Sequence, residues 1–484
     1  MLDEKYTIED LHEGLKSKKF SAVEVVENFL KRIEEKDKDI FSYLLVDKEG
    51  ALAQARETDK RLSQNLDFRE LEGVVMAIKD NILVKDLRCT AGSKILENFI
   101  APYDATVIRK LKDAGAIILG KTNLDEFAMG SSTENSAFGL THNPYDFDRV
   151  PGGSSGGSAA ATASFQCLGA LGSDTGGSIR QPASFCGVVG LRPTYGRVSR
   201  FGAIAMASSL DQIGPFANSV FDARKIFNVL SGQDELDSTT VPKNIKPEAR
   251  KKDKDETLKI GLPKEYFSDN LHPQMRQKMN KAIEIFTKMG AEVKEISLPT
   301  TDVSLATYYI LVPAEVSANL ARYDGVKYGY CQKSENLIEN YLKTRKDGFG
   351  KEVRRRIFLG TYVLSAGYYD AYYLKAQKVR TKIIEDFKHA FSEVDFLLMP
   401  TTPTPAFKIG EMTKDPLSMY LADIFTVPTS VAGLPAISVP FGKVDYENKS
   451  LPFGVQIISR WFDENSLLDL AEKFEQLSKI HPHT

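Results

Sequence analysis

Five consecutive apolar residues, Val74-Val75-Met76-Ala77-Ile78, run directly into Lys79. An apolar run of that length fits a buried strand, and such a strand would deliver the lysine amine to an interior site. Strand-like and helical runs alternate around it from residue 71 to residue 191. Residues 74–78 read as a strand, 106–114 as a helix, 116–119 as a strand and 158–163 as the opening of a helix. That alternation predicts an α/β fold, a sheet with helices on its faces.

Upstream, Ser21-Ala22-Val23-Glu24 has the capping-box pattern. Ala22, Val25, Val26, Phe29, Leu30 and Ile33 then follow at helical spacing, so a helix is predicted there. Residues 234–256 are rich in charge, Pro and Thr and read as a surface connection. Beyond it, strands are predicted over 258–262, 292–298, 396–399, 436–439 and 455–458. Residues 305–391 are aromatic-rich and mostly helical in pattern.

Bulk properties exclude several classes of function. The 484 residues include 63 basic and 65 acidic side chains, a formal net charge of −2, which gives no general attraction to nucleic acid. Cys89, Cys167, Cys186 and Cys331 are scattered, with no C-x-x-C pair. They predict thiols in a reducing compartment, without a disulfide framework or a metal site. The start, Met1-Leu2-Asp3-Glu4-Lys5, lacks a basic n-region and an apolar h-region. No apolar run approaches the ~18 residues that span a bilayer. A cytoplasmic protein without membrane association is expected.

The chemistry concentrates in three segments. Lys79 is followed by Pro151-Gly152-Gly153-Ser154-Ser155-Gly156-Gly157-Ser158 and then by Gly172-Ser173-Asp174-Thr175-Gly176-Gly177-Ser178-Ile179-Arg180. A serine attacks only when a base takes its proton, and the usual base is histidine. Of the six histidines (His12, His142, His272, His389, His481 and His483), only His142 lies in this stretch. A buried lysine can replace it, because burial disfavours the charged form. Lysine and two serines set in glycine therefore point to amide hydrolysis.

Two motif matches mislead. Gly115-Ala116-Ile117-Ile118-Leu119-Gly120-Lys121-Thr122 fits the phosphate-loop pattern G-x-x-x-x-G-K-[ST]. Its inner residues favour a strand where that motif needs an open loop. Gly153-Ser154-Ser155-Gly156-Gly157 fits the nucleophile elbow G-x-S-x-G. The polar run Tyr145-Asp146-Phe147-Asp148-Arg149 before it is no strand, and late histidines occur only at His481 and His483.

Together the three segments resemble the amidase signature family. The resemblance extends over essentially the whole chain and implies one amidase-signature domain over 1–484. Its fold would be a large mixed twisted β-sheet between α-helices, with a catalytic core at about 60–220. Carried over residue by residue, it implies Lys79 as base, Ser154 as proton relay and Ser178 as nucleophile. The oxyanion hole would lie on the amides around Thr175, Gly176, Gly177 and Ser178, and a cis peptide bond in the Ser154-Ser155 region.

Further segments resemble the glutamine-hydrolysing branch that serves tRNA-dependent amidotransferases. They include Asn123-Leu124-Asp125-Glu126-Phe127-Ala128-Met129-Gly130, Arg192 to Gly202, Asn319 to Gly325 and Gly367 to Tyr373. That resemblance implies glutamine as substrate and ammonia handed to the B and C subunits of a heterotrimer. ATP and Mg2+ would be used by the partner, with tRNA held mainly through B and no cofactor in this chain. An arginine and an aspartate would pair the two charges of glutamine. Matching segments hold Arg355-Arg356, of which Arg356 is favoured, and Asp423, with Tyr309 as a neighbour. A free-standing amidase, or a nucleotide-binding module built on residues 115–122, are the alternatives.

Overall fold

In the computed structural model, residues 6–245, 257–267, 271–413 and 415–478 are described. Eleven strands among them form one mixed sheet. In chain order they are β1 (Tyr43–Val46), β2 (Val75–Lys79), β3 (Ile117–Thr122), β4 (Gly169–Asp174), β5 (Val189–Arg192) and β6 (Gln212–Ala217). Then come β7 (Lys259–Pro263), β8 (Glu292–Ile296), β9 (Phe396–Pro400), β10 (Ala436–Tyr446) and β11 (Lys449–Ile458). The order across the sheet is β1-β3-β2-β4-β6-β5-β10-β11-β9-β7-β8. β2 runs parallel to both β3 and β4, whereas β4 is antiparallel to β6, and β10 and β11 form a long antiparallel hairpin.

Every residue of β2, β3, β4, β6 and β9 is buried. Side chains alternate between the two faces of a strand, so both faces of this sheet are covered. The α/β fold and most predicted elements are therefore found, with shifted ends. The run at 74–78 becomes β2 and ends on Lys79 itself. The predicted N-terminal helix is Ala22–Ile40, and its capping box forms: Ser21 Oγ accepts from Glu24 N at 3.1 Å, and Glu24 Oε2 from Ser21 N at 2.7 Å. Between 305 and 391 the chain forms the helices Thr301–Asn319, Leu337–Gly348, Lys351–Val363 and Lys375–Glu393.

The surface connection is seen in its described half, where ten of the twelve residues 234–245 are exposed or half-buried. Asp237 and Thr240 are buried. Asp237 Oδ2 accepts from Arg200 N at 2.9 Å, and Val241 N donates to Gly196 O at 3.0 Å, so residues 234–245 pack back on residues 196–200. Charged and Thr-rich composition also suits a segment pinned by hydrogen bonds. The remainder of that connection, with His481 and His483, lies outside the described residues. Among the described residues no helix is long and apolar enough to cross a membrane.

Candidate active site

Ile78 on β2 pairs with Leu171 on the parallel strand β4, so the Lys79 side chain emerges over the last residues of β4. Lys79 Nζ lies 2.8 Å from Ser154 Oγ, 2.7 Å from Ser155 Oγ and 3.0 Å from Ser173 Oγ, with Ser173 O at 3.3 Å. The amine is fully buried. Burial pushes Lys79 down to about 7, although Asp125, Asp174 and Asp211 pull the other way. A side chain that is nearly always an ammonium is thereby poised to lose its proton near neutrality.

Ser154 and Ser155 precede the helix Gly156–Ala163. The glycines here permit close backbone approach. A Cβ on Gly153 would lie 2.6 Å from Ser132 N, and one on Gly157 2.5 Å from Asn123 O. The cis peptide bond joins Gly153 to Ser154, one link before the Ser154-Ser155 bond.

Ser178 sits opposite, its carbonyl accepting from Ser155 N at 3.2 Å. Its hydroxyl makes no hydrogen bond among the described residues, so the relay contact is formed at Lys79–Ser154 and not yet at Ser154–Ser178. The loop before Ser178 is anchored by Asp174. Its carboxylate accepts from Arg180 Nε and Nη2 at 3.1 Å each and from Arg192 Nη1 at 3.1 Å. Burial alone would raise that carboxyl, yet the Arg180 and Arg192 guanidiniums hold it well below the usual carboxylate range.

Asp174 Oδ1 also takes the amide of Gly177 at 2.9 Å. That amide is therefore occupied, contrary to the expectation for Gly177 as an oxyanion donor. The amides of Thr175, Gly176 and Ser178 donate to no described residue. Gly177 has φ +141°, and a Cβ there would overlap Thr426 Oγ1; a Cβ on Gly176 would lie 2.8 Å from the Tyr308 hydroxyl. Gly176 and Gly177 thus give the loop its path between Tyr308 and Thr426.

The segment that carries Asp423, one of the residues assigned to substrate charges, is tied to this loop through Thr426. Thr426 Oγ1 donates to Gly176 O at 2.7 Å and lies 3.1 Å from Asp423 O. Asp423 Oδ2 accepts from Ser131 Oγ, while Oδ1 is buried without a partner among the described residues. Burial pushes Asp423 up to about 7, with Asp174 adding to the rise and Ser131 and Arg356 opposing it. Tyr309 stacks on Tyr420 with ring centroids 3.7 Å apart, and the Arg356 guanidinium lies 5.2 Å from the Tyr309 ring. Arg356 is buried and donates to Glu352 Oε1 at 2.8 Å. Arg355 is 48% exposed, so the geometry favours Arg356. A cavity of about 390 Å³ opens beside Arg356, Glu352 and Tyr420, within the range of small-molecule sites.

Both decoys dissolve in the structure. Residues 117–122 are β3, Lys121 Nζ is buried 2.8 Å from Asp80 Oδ1, and Thr122 Oγ1 lies 2.7 Å from Ser158 Oγ. The lysine and hydroxyl a phosphate would need are both committed. His142 Nδ1 is engaged by Phe147 O at 2.6 Å. Sequence reasoning missed Ser155 and Ser173 at the amine, Ser131 beneath Asp423, and Tyr308, Tyr420 and Thr426. Asp174 and Arg180 flank Gly176-Gly177-Ser178 and were visible there as a pair; the Thr426–Gly176 contact spans 250 residues and carries no local signal.

Comparison with known proteins identifies the family. The amidase family matches residues 24–468. The A subunit of glutamyl-tRNA(Gln) amidotransferase from Carboxydothermus hydrogenoformans is 56% identical over 474 residues, covering 98% of this chain and 97% of that protein. The protein of the same description from Trichodesmium erythraeum is 54% identical, covering 97% of each. The crystal structure of the A subunit of glutamyl-tRNA(Gln) amidotransferase from Thermotoga maritima superposes with a TM-score of 0.78 at 43% identity, covering 98% of this chain and 96% of that one. By its sequence, its sheet and the lysine–serine cluster at the end of β2, this chain belongs to the amidase family.

Proposed function

We propose that this chain is the glutamine-hydrolysing subunit of a tRNA-dependent amidotransferase. The observation that carries the reading is the buried Lys79 amine 2.8 Å from Ser154 Oγ. A neutral amine has two N–H donors and one lone pair. Ser155 Oγ donates to Ser173 O at 3.1 Å, so it can only accept from Lys79. The second N–H has Ser173 O at 3.3 Å, an oxygen that can only accept. The lone pair is then available to a hydroxyl, and that of Ser154, at 2.8 Å, is the closer of the two that can donate to it.

In the reaction, Ser178 Oγ bonds to the side-chain amide carbon of glutamine while its proton passes to Ser154, whose own proton passes to Lys79. The developing oxyanion meets the free amides of Thr175, Gly176 and Ser178. Lys79 returns the proton through Ser154 to the departing nitrogen, and ammonia leaves. Water then cleaves the acyl-serine, giving glutamate. Arg356 pairs the substrate carboxylate and Asp423 its ammonium, since both charges must be compensated on leaving water. Ammonia passes to the B and C subunits. There the aminoacyl-tRNA, Glu-tRNA(Gln) or Asp-tRNA(Asn), held mainly by B, would be activated at the expense of ATP with Mg2+. The whole assembly works in the cytoplasm.

Identity above 50%, over nearly full length, to A subunits of glutamyl-tRNA(Gln) amidotransferase supports this reading over a free-standing amidase. The test is Ser178→Ala in the assembled complex. Glutamine hydrolysis should fall on the order of 10³-fold or more, while amidation with added ammonium salt persists. Glutaminase activity within about tenfold of wild type would end the proposal.

A further inference from the structure

Gln181 lies in the first turn of the helix Arg180–Cys186, three residues past Ser178, and is fully buried. Its carboxamide is engaged at both ends. Oε1 accepts from Gly153 N at 2.9 Å, and Nε2 donates to Ser131 O at 2.8 Å. Gly153 adjoins Ser154, whose hydroxyl lies 2.8 Å from Lys79 Nζ. Ser131 Oγ donates to Asp423 Oδ2, and Asp423 Oδ1 is the buried oxygen left without a partner among the described residues. One side chain therefore joins the segment that holds Asp423 to the segment that holds Ser154. The fit is close, since a Cβ on Gly152 would overlap Gln181 Oε1.

We propose that Gln181 is a positioning residue that couples recognition of the substrate's α-ammonium at Asp423 to the placement of Ser154. Only a group that both accepts and donates can serve the two contacts, which a carboxamide does and a carboxylate does not. An ammonium paired to Asp423 Oδ1 draws Asp423, and with it the Ser131 segment, into one arrangement. Gln181 transmits that arrangement to Gly153. The consequence is specificity for α-amino acid amides over amides of the same length without the amino group. The inference rests on the assignment of Asp423 to the ammonium of glutamine.

The experiment compares glutamine with glutaramate, which is glutamine without its α-ammonium, by ammonia release from the complex as it purifies. Wild type should prefer glutamine. Gln181→Met, of similar volume but unable to make either contact, should lower the glutamine-to-glutaramate ratio of kcat/KM about tenfold, the size of one lost hydrogen bond. KM should rise for glutamine only, while kcat falls for both substrates through the Gly153 arm. A Q181M enzyme that loses activity equally on both substrates, with the ratio intact, overturns the proposal as mere packing. If Q181M does not fold, Ser131→Ala reads the coupling from its other end: the ratio should again fall, and a retained ratio overturns it. A wild type without preference for glutamine overturns the Asp423 assignment itself, and this inference with it. The two failures are thus told apart by the wild-type measurement.

Discussion

Burial moves Lys79 down to about 7 and Asp423 up to about 7. The shifts have opposite signs but act on activity in the same direction. Lys79 accepts a proton only as the neutral amine, populated above its depressed value. Asp423 pairs an ammonium only as the carboxylate, populated above its raised value. Both groups must therefore be deprotonated in the free enzyme, so log kcat/KM for glutamine should climb with a slope near two below pH about 7. Asp423→Asn should reduce that slope to one while lowering the plateau. A wild-type slope of one would show that one of the two assignments is wrong. Lys79→Ala should cost more than Ser154→Ala, because water can stand in for a relay hydroxyl but not for the amine; the kcat ratio of the two variants measures it.

At the scale of elements, packing of the helix Lys351–Val363 on the helix Thr301–Asn319 places Arg356, and it depends on Gly360, where a Cβ would overlap the Pro313 carbonyl. Gly360→Ala should force the helices apart, costing about 1–3 kcal/mol. It should also raise KM for glutamine severalfold; thermal denaturation and steady-state kinetics read the two effects separately. The buried pair Lys121–Asp80 makes a contrasting prediction. Lys121→Met leaves an uncompensated buried carboxylate and should cost about 3–5 kcal/mol, seen in denaturant unfolding. Nucleotide binding to the chain should be absent before and after. What could be read from the sequence depended on where partners lie along the chain. β2, β3 and the helix Ala22–Ile40 carry their signals in contiguous apolar runs or caps, so they were legible. β4 and β5 were not, because Gly169, Gly172 and Gly190 dilute the strand signal. The packing requires those glycines: a Cβ on Gly172 would lie 2.6 Å from the Phe216 ring. Lys79, Ser154 and Ser178 were legible because each sits in a local motif, whereas Arg356 and Asp423 entered only through family resemblance. Nothing near Arg356 in sequence announces Tyr420, whereas Glu352, four residues earlier on the same helix, carries a local i,i+4 charge-pair signal that went unused.

For the whole molecule, the question is whether this surface could hold the tRNA itself. Affinity for nucleic acid comes chiefly from cations that displace phosphate counterions, and 63 basic against 65 acidic residues leave no net excess. The most basic stretch, residues 343–356, is weaker than its composition suggests. Arg345 is spent on the carbonyls of Leu320 and Tyr323, Arg356 is buried on Glu352, and Arg355 shares the same carboxylate. Lys343 pairs with Glu339 at 3.2 Å on the face of its own helix. With those groups committed, few cations in this stretch remain to displace phosphate counterions. The isolated chain should therefore bind tRNA weakly or not at all, with the grip supplied by another subunit. Titrating tRNA into the isolated chain at near-physiological salt measures this. A submicromolar Kd would mean that the division of labour between catalysis here and tRNA capture elsewhere has been drawn in the wrong place.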